Sequence, residues 1–400
     1  MRFPEFTEEW TECELQDIAN LSKGVGISKD QLSDSGESCI LYGELYTKYK
    51  SEVITDVISK TDIDTSNLVR SKANDVIIPS SGETAIDIST ARCVPFDKIL
   101  LGGDLNIIRL KDQDGRFFSY QLNGVRKLDI AQIAQGVSVV HLYGESLKRL
   151  KVRYPSIAEQ EKISSLLAAI DERITSQNRI IDKLKSLMQG LNNELMDNPK
   201  WAKVYVGDFM EFFSTNSLSW EQLSYDNGQI RNLHYGLIHS GLPTMVDCQQ
   251  ITLPYIQDSF LPKQYTICKD GDVAFADASE DTTEVGKAVE LTNLENQYIA
   301  CGLHTIHGRD SKNTTIGGFK GFAFNSKYFH DQLRRIAQGS KVYSINTDNL
   351  KSCYLYIPSI AEQQKIVGLL RCMQNKIDVV EQELRQYESQ KKFLLKGLLI

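Results

Sequence analysis

The chain has 400 residues, 41% hydrophobic and 24% charged, with a formal net charge of −7. This composition excludes a disordered chain. The absence of any apolar run of about 18 residues argues against a membrane span, and the polar start Met1-Arg2-Phe3-Pro4-Glu5 against a secretion signal. The eight cysteines contain no C-x-x-C pair, which argues against a zinc ribbon or disulfide framework and for a reducing cytosol, while the acidic balance opposes non-specific nucleic-acid binding.

Taken in chain order, Val76–Ile78 and Ile99–Leu101 read as buried strands and Phe118–Leu122 as a short helix leading to Ile133-Ala134-Gln135-Gly136. Pro155 then precedes Ser156-x-x-Glu159, a capping box in which the hydroxyl and the carboxylate each satisfy an orphan amide of a helix start. A seam at spacings of four and three follows: Ile163, Leu167, Ile170, Ile174, Gln177, Ile181, Leu184, Met188, Leu191 and Leu195. Asp197–Lys200 punctuates the joint to a second half. There Val273–Phe275 and Gly321–Phe324 read as strands, and Phe329–Ile336 as a helix ending in Ala337-Gln338-Gly339. A second capping box, Ser359-x-x-Glu362, opens the seam Ile366, Leu370, Met373, Ile377, Val380, Leu384, Tyr387, Lys391, Leu394 and Leu398.

The chain therefore repeats itself. Ile-Ala-Gln-Gly, Leu-Lys and Pro-Ser-Ile-Ala-Glu-Gln-x-Lys-Ile recur at one offset of 203 residues, and Trp10-x4-Leu15-x-Asp17 matches Trp201-x4-Val206-x-Asp208 at offset 191. Heptads sustained over this length predict a coiled coil. If the two helices pair antiparallel, a pseudo-two-fold relates the halves; the alternative is that each seam packs on its own domain. The predicted plan is α+β: mixed α/β domains at 1–150 and 201–350, and long helical segments at 151–200 and 351–400. Gly190 and Gly397 weaken the helix ends, each by about 1 kcal/mol against Ala.

Catalytic signatures are missing. The chain has no phosphate-binding loop, no adjacent prolines for an amino-methyltransferase motif, no G-x-S-x-G elbow, and only an incomplete Gly24-x-Gly26. His304-x-x-His307 has helical metal-ligand spacing, but its Gly-bounded surroundings read as strand or loop, so no metal is assigned. Charge divides by region. Residues 1–150 hold 17 Lys+Arg against 23 Asp+Glu and 201–350 hold 12 against 17, whereas 151–200 hold 8 against 7 and 351–400 hold 8 against 5. A DNA-binding role thus needs local clusters or a basic partner.

The ordered set Ala-Gln-Gly, Leu-Lys, Pro-Ser-Ile-Ala-Glu-Gln-x-Lys-Ile and a heptad helix ending Gly-Leu, present twice, resembles the specificity (S) subunit of type I restriction–modification systems. The resemblance implies that 1–150 and 201–350 are target-recognition domains, each reading half of a split DNA target. The helices would space the domains and dock two methyltransferase (M) subunits carrying S-adenosylmethionine, with a restriction (R) subunit adding ATP- and magnesium-dependent translocation and cleavage. The S chain would itself be non-catalytic, without cofactor or metal, and cytoplasmic. The Gly-Leu pair recurs at offset 207 rather than 203, so the second helix is expected to end differently and to dock its partner unequally. A seam of about 33 residues makes a rod of about 50 Å, equivalent to about 15 base pairs.

Base readout needs polar side chains in loops between buried strands. In the first domain the candidates are Ser22, Lys23, Ser80, Ser81 and Thr84, then Tyr42, Tyr46, Lys48 and Arg92. In the second they are Asp277, Ser279, Glu280, Thr282, Thr283 and Lys287, with His234 and Tyr235. Gln160, Lys162, Gln363 and Lys365 are candidates for subunit docking because the repeat preserves them. The competing readings are a protein- or carbohydrate-binding scaffold on a coiled-coil spacer, and a diverged nuclease.

Overall fold

The run Asp75–Pro79 is buried along its whole length. Its apolar side chains lie in the interior of a four-stranded antiparallel sheet ordered Ala19–Lys23, Leu105–Leu110, Asp75–Pro79, Arg92–Val94. Helix Gly115–Asn123 packs on this sheet and buries Phe117, Phe118, Tyr120 and Leu122 completely. A three-stranded sheet of Ser59–Thr61, Glu37–Ile40 and Leu100–Leu101 adjoins it. These elements belong to the first of two contact units in the structure, a computed structural model that describes residues 1–281, 284–339 and 341–399. One unit is residues 1–179 with 381–400; the other is residues 180–380.

The second unit shares the frame of the first, with added strands. Its five-stranded sheet runs Met210–Phe213, Thr305–Asp310, Val273–Ala276, Ala288–Thr292, Met245–Asp247, the last strand being a parallel addition. A four-stranded sheet ending on Ile299–Cys301 accompanies it. Thr11–Glu14 pairs with Lys151–Tyr154, and Ala202–Tyr205 pairs with Tyr354–Ile357, both antiparallel. In each unit the chain returns to its own beginning just before a long helix starts.

One expected element is wrong. Residues 321–324 are not a strand but part of helix Phe319–Phe324. An unbroken buried apolar run does not reveal its period. Here the Glu290 carboxylate accepts the amides of Gly318 and Gly321 at 2.8 and 2.7 Å, satisfying the helix start from below. The remaining predicted strands and helices are present: Asp75–Pro79, Leu100–Leu101, Gly115–Asn123, Val273–Ala276 and Lys327–Ile336.

The two seams lie on unbroken helices, Ile157–Met196 and Ile360–Leu398, of 40 and 39 residues. Every seam position is buried or half-buried, including Ile174, Ile181, Leu184, Met373, Ile377, Val380 and Leu384. Within the first unit Arg173 donates to the Tyr387 hydroxyl at 3.2 Å, and Gln177 donates to Glu383 at 2.9 Å. As one number rises the other falls, which is an antiparallel register. Ile163, Leu167 and Ile170 also join the domain core, together with Leu394, Leu398 and Leu399. In the second unit Ile366, Val367 and Leu370 share a core with Met196, and Met188, Leu191 and Leu195 pack against it. Helix pairing and packing on the domain are therefore both realised, and the contact units cut across the helices rather than separating them from the globular parts. Among the described residues no helix is long and apolar enough to cross a membrane.

Candidate nucleic-acid interface

In the first unit the strand ends gather several loops. The Gly24 amide donates to Leu105 O at 2.9 Å and the Ser80 amide to Asp104 O at 2.7 Å. Ser81 and Gly82 pair with His141 and Val140. Tyr42 and Tyr46 flank the start of the short helix Glu44–Thr47, and a Cβ built on Gly82 would lie 3.8 Å from the Tyr46 hydroxyl. The Ala-Gln-Gly repeat closes this end as a hairpin: Gln135 and His141 exchange backbone bonds of 2.9 and 2.7 Å. Gly136 has φ +123°, and a Cβ there would meet Val139 O at 2.1 Å. Gly339 in the second unit has φ +132° and the same clash with Val342 O, without a Cβ being present to suffer it. This left-handed, crowded backbone explains why the repeat keeps glycine.

The second unit builds the same end with different side chains. The Asp277 amide donates to His304 O at 3.1 Å, and the Ile345 amide to Asp277 O at 2.9 Å. Ala278 and Ser279 pair with Ser344 and Tyr343. Tyr235 stands edge-on to His304 at 5.2 Å, and His304 Nδ1 lies 3.1 Å from the Asp277 carboxylate. His239 Nε2 is 3.0 Å from Ala278 O. Trp220, 46% exposed, covers His234 at a ring distance of 4.4 Å. His239 and Trp220 were not singled out by the sequence, and His304 only as a possible metal ligand, because only the fold brings their loops together.

The candidate residues separate by exposure. Ser22, Lys23, Thr84 and Glu280 are exposed, and Tyr42, Tyr46, Tyr235, Asp277, Ser279 and Lys287 are half-buried. Lys48 is exposed but held by Glu44 at 2.7 Å, and Lys287 by Glu284 at 2.8 Å. Thr84 caps helix Ala85–Ile88 by accepting the Asp87 amide. Thr282 and Thr283 lie outside the described residues.

Several expectations need correction. Arg92 is buried and donates to three backbone carbonyls, of Leu45, Tyr49 and Ala91; it braces the helix behind Tyr46 and does not reach a surface. Ser80 and Ser81 are also buried and shape the loop from beneath. His234 is 2% exposed, and its Nδ1 accepts the Gly236 amide at 3.1 Å. Burial, assisted by His304, lowers its pKa, so it serves as a neutral cap positioning Tyr235.

The docking candidates divide in the same way. Gln160 and Gln363 are fully buried. Gln160 accepts the Asp114 amide at 3.1 Å and donates to Gln113 Oε1 and Pro155 O. Gln363 accepts the Ile316 amide at 2.9 Å and donates to Thr314 O and Pro358 O. They are anchors that bind each helix start to a loop of its own domain, which is why both halves keep them. Gln160→Ala is expected to destabilise the first unit by about 1–3 kcal/mol, because a buried amide loses its acceptor. Chemical denaturation of the full chain checks this, and a variant as stable as the parent would refute it. Lys162 and Lys365 remain exposed, Lys162 paired with Glu5 and 4.7 Å above the Phe3 ring.

The twin capping boxes are unequal. Glu362 accepts from the Ser359 amide and hydroxyl as expected. Glu159 instead turns to Arg2, which donates to both its oxygens at 2.9 and 2.7 Å.

Residues 7–186 match the family model described as type I restriction modification DNA specificity domain. The chain is 21% identical to the type I restriction enzyme MjaVIII specificity subunit of Methanocaldococcus jannaschii, over 98% of this chain and 92% of that protein. Its fold is similar to the crystal structure of a type I restriction–modification S subunit from M. genitalium, with TM-score 0.61 and 15% identity over 100% of this chain and 97% of the other. It is also similar to a chain solved in work on complex assembly and conformational transition of the type I R-M system, with TM-score 0.59 and 13% identity over 99% and 98%.

Proposed function

We propose that this chain acts as a specificity subunit of a type I restriction–modification system, a reading supported by the specificity-domain match and the similar specificity subunit, and that each unit reads one half of a bipartite, asymmetric DNA target. The observation that carries this reading is the pair of loop ends just described. The two units share one frame, and beside a tyrosine common to both, Tyr42 and Tyr235, Ser80 and Asp104 stand in one where Asp277 and His304 stand in the other. Equivalent positions with unlike hydrogen-bonding groups are what two different half-sequences require. The helices set the spacing between half-sites and carry the docking surface, with Lys162 and Lys365 on its exposed part.

The specificity chain is not itself the enzyme. Two M subunits bind S-adenosylmethionine and methylate the exocyclic amine of adenine, and R subunits supply ATP- and magnesium-dependent translocation and cleavage. The complex works in the cytoplasm, where its DNA is. The acidic balance of the globular regions fits this division of labour, because phosphate neutralisation is then shared with basic partners.

The test is methylation sequencing of a host carrying the chain with its partner subunits. Each base-edge contact is worth about 1–3 kcal/mol of discrimination, so the paired change Ser279→Ala with Glu280→Ala should relax one half-site and leave the other unaltered. Relaxation of both halves together, or of neither, would count against separate reading by the two units.

A further inference from the structure

The second unit carries a buried group that DNA reading does not use. Cys268, Cys301 and His307 are 3%, 2% and 0% exposed. Their sulfurs and one ring nitrogen all lie within 4.8 Å of one another. Cys268 Sγ and Cys301 Sγ are 3.6 Å apart. His307 Nε2 is 2.7 Å from Asp272 Oδ2, while His307 Nδ1, also buried, makes no hydrogen bond of good geometry and the Cys268 thiol is the polar group beside the ring.

The first unit shows what this position holds otherwise. Arg109 grips Asp75 with two bonds of 2.8 and 2.7 Å, and Arg309 grips Asp272 with two of 2.8 and 2.6 Å. The sheet registers are equivalent: Ile107 pairs with Ile77, and His307 with Ala274. Leu101 pairs with Ile40, and Cys301 with Leu233. The Ser71 amide donates to Ile99 O, and the Cys268 amide to Ile299 O. Ser71, Leu101 and Ile107 therefore occupy the places of Cys268, Cys301 and His307. Leu101 and Ile107 are fully buried aliphatic core. Exchanging such a core for an imidazole whose second nitrogen has only a weakly bonding thiol beside it carries a desolvation cost unless a stronger ligand satisfies it.

We propose that Cys268, Cys301 and His307 form a zinc site in the second unit. Two Zn–S bonds of about 2.3 Å at a tetrahedral angle set the sulfurs about 3.8 Å apart, close to the spacing observed. A disulfide needs about 2.05 Å. Asp272 holds the other nitrogen of His307, the carboxylate–histidine arrangement that orients zinc ligands. On binding, two S–H protons and the Nδ1 proton of the His307 imidazolium pass to water as two Zn–S bonds and one Zn–N bond form, and a water completes the fourth position. Cys301 and His307 are six residues apart on successive strands and Cys268 lies 33 residues before Cys301, which is no zinc motif; the sequence offered His307 only in the pair with His304, and that pair is not the one the fold brings together.

The test is elemental analysis of the full chain, purified reduced, and titration of the stripped chain with cobalt(II). The expected results are one zinc per chain and a thiolate-to-cobalt charge-transfer band. The triple exchange Cys268→Ser, Cys301→Leu, His307→Ile installs the first unit's own residues, which that frame already accommodates. It should fold and lose the band, with bound zinc falling at least about tenfold. No zinc together with no charge-transfer band, zinc retained in full by the triple variant, or a Cys268–Cys301 disulfide in the freshly purified chain would each overturn the proposal.

Discussion

Lys391→Met is expected to destabilise the first unit by about 3–5 kcal/mol, the cost of removing one partner from a buried charge network. Lys391 is the polar member of the second helix seam. Its ammonium lies 2.6 Å from Asp171 Oδ1 and also donates to Glu52, and the Tyr120 hydroxyl donates to the other Asp171 oxygen at 2.7 Å. All four groups are largely or wholly shielded from water. Burial pulls the ammonium pKa down, but the carboxylates of Glu52 and Asp171 more than offset this and hold it above the ordinary lysine value. Burial pushes the Asp171 carboxyl up, partly countered by Lys391. Without the ammonium, two carboxylates face each other in a poorly solvated space. Adding Glu52→Gln and Asp171→Asn to Lys391→Met should recover most of the loss, because it removes the charges left behind. Denaturant unfolding of the three proteins measures this; a single variant as stable as the parent would show that the network does not hold the end of the second helix to the first unit.

Removing one heptad from both helices at the same level is expected to shorten the spacer of the methylated target by about 3 base pairs, since seven residues span about 10.5 Å and a base pair rises about 3.4 Å. The register of Asp171 with Lys391 and Gln177 with Glu383 places residues 172–178 opposite 382–388. Deleting both stretches takes out together the pairs within them, Arg173 with Tyr387 and Gln177 with Glu383, leaves Asp171 with Lys391 in place, and preserves the seven-residue pattern. Both half-sequences should stay as they were. Deletion from one helix alone should abolish methylation, because every seam contact beyond the cut is then displaced. A double deletion that methylates at the original spacing would show that the helices do not measure the target.

The helices were legible in the sequence because their signal is periodic and repeated: apolar spacing, caps and the offset of 203 residues all agree. The same repeat misled about Gln160 and Gln363, since a residue kept in both halves can be kept for folding as well as for a partner. The globular units were less legible. Their strands are short, and the buried run at 321–324 gives no period by which to tell helix from strand. The candidate interface was half visible: small polar residues after a buried strand marked the loops, but whether Arg92 or His234 faces solvent depends on contacts far away in sequence.

The first core closes only when Leu394, Leu398 and Leu399 pack against Ile163, Leu167 and their neighbours. Residues 180–380 form the other unit from one continuous stretch. During synthesis the order of completion is therefore inverted: the unit begun first must wait for the tail. At about 5–20 residues per second the ribosome takes roughly 10–40 s to make the intervening stretch, and for that time the nascent chain carries an open apolar groove along its first helix. A chaperone that shields nascent chains should matter more for residues 157–179 than for any part of the later unit.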